Sequence, residues 1–382
     1  MRVTAFKRCR RADLWCNSIV KAMILAAGFG ERMRPLTEGR AKPSLPLVTR
    51  PIIVHTLSYL RSHGVSEAVI NLHYHPESIR GLVGDGSRIG LKVHYSEEQV
   101  ILGTAGGLKK AEAHFRDSGT FVLINSDFAT DCNLTAAIED HRRSGAIATL
   151  VVAPRQSGAD YSPVIMDGDG KIISIAGAGR EGEGGSFTFT GIHILEPSIF
   201  DSIPPGVKYE INREVYPVLM HKGALIKGYL HTGFWREMGT PRLYLQGALD
   251  VLAQGLDSSI VASKTSDGVY VEKVVLPAST VSEPPLFIGR GSMIGPGCSL
   301  QGGVVIGRQC LVGTCSALRS TLVWDGARLG DRTQLTDCIV TSGVYVPPMT
   351  NLSGRILFRV EGFQGKKENL ERVGSSWAAR LT

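Results

Sequence analysis

Leu25-Ala-Ala-Gly28-Phe-Gly30-Glu-Arg32-Met-Arg34-Pro-Leu-Thr37, with Lys42-Pro43-Ser-Leu-Pro46 close behind, decides the first half of the fold. The apolar run Met23 to Ala27 predicts a strand that opens into a glycine loop. Glycine has no Cβ, so backbone N–H groups in such a loop can come close to phosphate oxygens. Arg32, Arg34 and Lys42 put mobile cations beside that cradle. Met33 stands where a dinucleotide fingerprint needs its third glycine, and no G-x-x-x-x-G-K-[ST] occurs, so neither motif is encoded. Taken alone, the segment also reads as a tight glycine turn with solvated arginines.

Outward from this loop, apolar runs alternate with helical patterns. Thr49 is placed to N-cap a helix with Pro51 at its first position and Ile53, Leu57 and Leu60 on one face. Strands are expected at Ala68–Leu72, Leu91–Tyr95, Phe121–Asn125, Ala146–Val152 and Phe187–Leu195. The intervening helices predict an α/β domain, a doubly wound and mostly parallel, Rossmann-like sheet. Ligands in such sheets bind beyond the carboxyl ends of the strands, so the loops there carry the chemistry. A hairpin is expected to turn at Asp167-Gly168-Asp169-Gly170, followed by a mobile loop at Gly177–Gly185.

Beyond Pro285 the period becomes six. Ile288, Ile294, Leu300, Ile306, Val312 and Leu318 share one register. Val323, Leu329 and Leu335 continue it after a one-residue slip, and Val340 and Val346 after another. Hexads of this kind predict a short left-handed parallel β-helix, three hexads to a coil and about three coils in all. The expected layout is a basic, unstructured extension at 1–20, the α/β domain at 21–255, a linker at 256–284, the β-helix at 285–350 and a tail at 351–382.

The net charge of +7 is concentrated at one end, because residues 1–21 hold six basic side chains and one acid. The other 361 residues carry only +2, which argues against a nucleic-acid face on the folded body. The leader imitates a secretory signal, but Asn17, Ser18 and Lys21 break its apolar part; it is read as an extension, or as sequence upstream of a start at Met23. No stretch approaches the ~20 apolar residues of a membrane helix. Seven cysteines without a C-x-x-C pair fit a reducing cytosol. Cys298, Cys310, Cys315 and Cys338 are read as small fillers of the coils.

Three further motifs bear chemistry. Phe121-Val-Leu-Ile-Asn125-Ser-Asp127 puts a carboxylate at the end of a buried strand, where a phosphate-bound metal would lie; a helix-capping Asp is the plain alternative. Leu102-Gly103-Thr-Ala-Gly106-Gly107 opens a helix with a glycine loop that could face a base or a phosphate. Phe234-Trp235-Arg-Glu237-Met-Gly239-Thr-Pro241 adds a second acid beside a tight turn.

In this order and spacing the motifs resemble the sugar-phosphate nucleotidyltransferase family, the NDP-sugar pyrophosphorylases, over about residues 21–250. Within it the chain is most similar to mannose-1-phosphate guanylyltransferase-like proteins. The resemblance implies that Leu25, Ala26, Ala27, Gly28 and Gly30 hold a nucleoside triphosphate, with Gln99, Gly103 and Thr104 at the base. It implies catalytic roles for Arg32, Lys42 and Asp127, a magnesium ion on Asp127 and Glu237, and Thr190 and Gly191 near the sugar. The implied partners are a nucleoside triphosphate and a sugar 1-phosphate, with no nucleic acid or membrane, and the coils are read as a lid or an oligomer contact.

Three departures stand out. Glu237 replaces the family's usual Asp, Tyr161-Ser162-Pro163 replaces Y-G-V, and no E-K-P lysine occurs in 175–185, where Arg180 is the nearest substitute. The alternatives are another specificity (glucose 1-phosphate or MurNAc 1-phosphate with UTP, dTTP or ATP) or a non-catalytic regulatory homologue. Acyl transfer by the coils is disfavoured because all ten histidines precede the repeat.

Overall fold

The computed structural model describes residues 20–155, 162–179, 184–256, 263–359 and 370–382. The leader up to residue 19, Tyr161 and Arg180 lie outside the described residues.

β1 (Val20–Leu25) runs parallel to β2 (Val65–Leu72) on one side and β4 (Phe121–Asn125) on the other, and β2 runs parallel to β3 (Lys92–Glu97). Leu25 is in register with both Asn71 and Asn125, so three strands end on one line and their loops converge. Alternate residues serve the two faces. Ala22 and Ile24 pack with α1 (Ile52–Ser62), α2 (Pro76–Val83) and α4 (Leu134–Ser144), while Met23 and Leu123 pack with α3 (Gly103–Lys110), Phe115 and Tyr216. Ile53, Leu57 and Leu60 are fully buried, as their spacing requires.

Thr49 does not cap α1. Pro46–Leu47 and Arg50–Pro51 pair as a tight hairpin with Val48 at φ 58°, so Thr49 is spent in the turn and Pro51 takes the cap position. β7 (Gly185–Leu195) runs antiparallel to β4 and to β6 (Ala148–Pro154), and β6 pairs in parallel with β8 (Ile226–Leu230), so the sheet is mostly but not wholly parallel. Of the stretch read as a mobile loop, Ala178–Gly179 pairs with Ile172–Ile175, extending the hairpin that turns at Asp167–Gly170. A short ribbon, β5 (Phe128–Thr130) against β9 (Trp235–Glu237), stands beside the main sheet. No helix among the described residues is long and apolar enough to cross a membrane.

The hexads form the left-handed parallel β-helix. Val271, Ile288, Ile306, Val323, Val340 and Leu357 stack as one column of parallel partners. This column is longer than three coils supply, because it starts within the stretch read as linker and continues past residue 350. The two slips shorten the coil spacing from 18 residues to 17 without breaking the stack. Nor is 351–382 simply a tail. Asn351–Ser353 and Arg355–Phe358 complete the last coil, and Ser376–Arg380 pairs antiparallel with its edge. A parallel stack leaves its last strand unpaired, and this returning strand covers it. Cys298, Cys310 and Cys338 fill the coil interior, and burial pushes the Cys310 and Cys338 thiols up to about 11. Cys315 is not a filler: it sits exposed at a corner with φ 55°.

α5 (Pro241–Ala253), N-capped by the Thr240 hydroxyl, links the two parts. Its Tyr244, Leu245 and Leu249 join Met33, Leu45 and Leu47 of the loops after β1, and Phe287, Leu322 and Trp324 of the β-helix, in one buried cluster.

Candidate active site

The converging strand ends enclose a cavity of about 490 Å³ lined by Leu25 to Met33, Lys42, Asn71, Glu98, Gly103, Thr104, Asn125 to Asp127, Glu210 and Gly239, among others. Its glycine wall has the geometry the sequence requires. Gly30 adopts φ +65°, its carbonyl accepts from Thr37 Oγ1 at 2.9 Å, and a Cβ there would press on Thr37 at 3.1 Å. At Gly28 a Cβ would meet nothing within 4 Å, so the backbone there faces open space.

One end of the cavity is charged. Lys42 Nζ donates to Asp127 Oδ2 at 2.7 Å; the two side chains are 12% and 25% exposed. Met238 N–H donates to the Asp127 carbonyl at 2.8 Å, and Glu237 is in register with Phe128, the residue after Asp127, so the two acids distant in sequence lie on neighbouring segments. Glu237 Oε1 lies 3.9 Å from Arg32 Nη2 and beside Gly239, which lines the cavity. Arg32 itself is 70% exposed, a solvent-facing cation at the rim. Arg34 turns away to Glu38.

The other end is held by buried polar groups that the motifs did not reveal. Ala26 N–H donates to Asn71 Oδ1 at 2.7 Å, Asn71 Nδ2 donates to Glu98 Oε1 at 2.7 Å, and Leu102 N–H donates to Glu98 Oε2 at 2.9 Å. This chain ties the loop after β1, the end of β2 and the loop after β3 together. Thr104 Oγ1 donates to Glu210 Oε2 at 2.8 Å and accepts from Ile211 N–H at 2.8 Å. Gly103, at φ +72°, has Glu210 Oε1 and the Tyr209 carbonyl 2.7 Å from where a Cβ would stand, so only glycine fits. The strand-end position of Asn71 is the signal that could have singled it out; Glu98 and Glu210 carry no motif of their own.

Leu25, Ala26, Ala27, Gly28, Gly30, Arg32, Lys42, Gly103, Thr104 and Asp127 thus line one cavity, with Glu237 beside it. Three residues fall elsewhere. Gln99 is exposed and does not line the cavity; its neighbour Glu98 does. Thr190 is buried, donates to the Val151 carbonyl at 2.8 Å and accepts at its own carbonyl from Trp235 Nε1. Gly191, at φ +93°, backs Asn125 and Phe128 rather than lining the space. The pair supports the cavity wall from behind.

For a divalent cation, Asp127 and Glu237 supply hard carboxylate oxygens. Among the described residues no group of three or more His, Cys, Asp or Glu gathers as a metal cage. That donor set fits magnesium, which takes one or two carboxylates and completes its shell with substrate phosphates and water.

A mostly parallel sheet whose strand ends present a glycine wall, two cations and two acids defines an α/β protein with a site suited to phosphates. Residues 21–254 match the model of the nucleotidyl transferase family, and 286–320 match the bacterial transferase hexapeptide repeat. The chain belongs to the sugar-1-phosphate nucleotidyltransferase family. It is 32% identical over 338 residues to a UTP–glucose-1-phosphate uridylyltransferase of Synechocystis sp., covering 84% of this chain and 87% of that one. It is 30% identical to a mannose-1-phosphate guanylyltransferase of Mycobacterium tuberculosis, covering 81% of each. Among solved structures, HddC from Yersinia pseudotuberculosis shares the fold at TM-score 0.52 and 21% identity, with 98% of its chain placed on 60% of this one.

Proposed function

We propose that this chain joins GTP and mannose 1-phosphate, giving GDP-mannose and pyrophosphate with magnesium as the cofactor. The carrying observation is the Glu98 carboxylate, buried in the cavity wall beside Asn71 and apart from the Lys42–Asp127 pair in its contacts. Guanine presents two adjacent donors, N1–H and N2–H, on one edge, and a carboxylate offers two acceptors to match. Uracil and thymine present one donor between two carbonyls, which a carboxylate repels. The guanylyltransferase relatives from M. tuberculosis and plants support this reading.

In this reading a phosphate oxygen of mannose 1-phosphate attacks the α-phosphorus of GTP, the bond to the β-phosphate breaks, and pyrophosphate leaves. A phosphate monoester dianion needs neither a general base nor a covalent enzyme intermediate. The chain's task is to align two polyanions that repel each other. Backbone N–H groups from Ala27 to Gly30 receive the triphosphate, and Lys42 and Arg32 offset its charge. Asp127 and Glu237 would hold the magnesium, which supplies electrostatic stabilisation to the transferring phosphate when bound. The free thiols fit a cytosolic setting.

The test compares Glu98→Gln with the unmodified chain on GTP, UTP, dTTP and ATP, using coupled pyrophosphate release. The variant should lose about 10²-fold in kcat/KM with GTP, and less with the others. Because Glu98 also holds the Asn71 and Leu102 contacts, an equal loss with every nucleotide would assign it a structural role only. Preferred turnover of UTP with glucose 1-phosphate would favour the activity named for the cyanobacterial relative.

A further inference from the structure

Glycine follows the inward aliphatic residue at Gly289, Gly295, Gly307, Gly313 and Gly330, polar residues or proline follow it at most other places, and after Val323 the place is taken by the large ring of Trp324. The backbone pairing of the coil is the same with either residue. Trp324 N–H donates to the Val340 carbonyl at 2.8 Å, as Gly307 N–H donates to Val323 at 2.7 Å in the coil before. The ring is buried, yet it packs with α5 and the loops of the nucleotidyltransferase domain rather than inside the coil.

There the ring brackets the segment that carries Lys42. The Arg40 guanidinium stands 5.5 Å from its centroid, within cation–π range. The Tyr244 ring meets it edge-on at 6.3 Å and 89°, and the Tyr244 hydroxyl donates to the Pro46 carbonyl. One contact lies just before Lys42 and the other just after it. Between them the backbone is fixed by Ala41 N–H to Ser78 Oγ at 3.0 Å and Leu45 N–H to the Lys42 carbonyl at 3.1 Å. Met33 and Met238, next to Arg32 and Glu237 in sequence, are buried in the same cluster.

We propose that Trp324 is a positioning residue for nucleotidyl transfer: a β-helix side chain that fixes the Arg40–Pro46 segment and so aims Lys42 at the phosphates. This rests on the function proposed above. It makes the β-helix a strut of the catalytic site, a role separate from any oligomer contact.

Two full-length variants test it. Trp324→Gly puts there the residue found at the same place in the two coils before (Gly289 and Gly307), and Trp324→Phe keeps an aromatic face for Arg40. Trp324→Gly should lower kcat on the order of 10²-fold, as small displacements of a phosphate-aligning group do, with KM for the sugar phosphate little changed. Trp324→Phe should recover most of the rate. A second readout is independent of turnover: brief acetylation with acetic anhydride, followed by mass spectrometry of the Lys42 peptide. Lys42 is shielded and ion-paired, so it should label slowly in the unmodified chain and several-fold faster in Trp324→Gly. Should the glycine variant fail to fold, Arg40→Met, which keeps the aliphatic stem but loses the cation, carries the same expectations. Unchanged kcat and Lys42 labelling in the variant overturn the proposal, as does a loss in Trp324→Phe equal to that in Trp324→Gly. If no sugar 1-phosphate is turned over, the functional reading fails, and Lys42 labelling alone decides the positioning claim.

Discussion

At the residue scale the site turns on the 2.7 Å pair of Lys42 and Asp127. Opposite charges this close and this shielded hold each other strongly, so each restrains the other until an incoming triphosphate competes for the ammonium. Asp127→Asn removes the hard oxygen donor while conserving size. Pyrophosphate release with magnesium should fall at least about 10²-fold, a loss of ~3 kcal/mol of transition-state stabilisation. Release at the unmodified rate would exclude Asp127 as a metal ligand. The same scale explains what motif reading missed. Gln99 and Glu98 are neighbours at the end of a strand, where successive side chains point to opposite sides, and only the carboxylate side faces the cavity.

At the element scale, β7 carries an unusual pair across the buried face of the sheet: His193 Nδ1 lies 2.6 Å from the Tyr216 hydroxyl. Burial holds the imidazole neutral, with its pKa pushed down from 6.5 to about 3, and raises that of Tyr216. Below pH 6.5 the unfolded chain takes up a proton that the folded chain refuses until about pH 3. Stability from this group is therefore complete above pH 6.5 and is lost as pH falls, by up to about 1.4 kcal/mol per unit. Urea unfolding between pH 7 and 4.5 should show this acid slope, and His193→Asn should flatten it. An equal slope in the variant would shift the cause to other groups.

At the scale of the whole molecule, the two parts are joined by a close-packed seam. Gly303, at φ +94°, lets a β-helix strand approach α5 so closely that a Cβ would lie 3.2 Å from Leu249 Cδ1. Gly303→Val imposes both an unfavourable backbone conformation and overpacking, and should cost about 1–3 kcal/mol, read as a lower thermal midpoint. An unchanged midpoint would mean the seam yields easily, and would weaken the case for the β-helix as a strut. The carboxyl end is tied to the same seam, since Arg242 donates to the Leu381 carbonyl at 3.0 Å.

The glycine loop, the carboxylate closing a buried strand and the six-residue period were legible because each is local. Backbone access to phosphate, a strand end and an inward aliphatic residue are properties of a few consecutive positions. The extra rungs of the β-helix, the strand that returns over its last coil and the displaced cap of α1 were not, because they depend on neighbours far along the chain. The same holds for the clasp of Asn71 and Glu98 and for Trp324 against Arg40. Hydrogen bonds and packing between distant segments leave no periodic trace in the sequence, so only the folded chain brings those partners together.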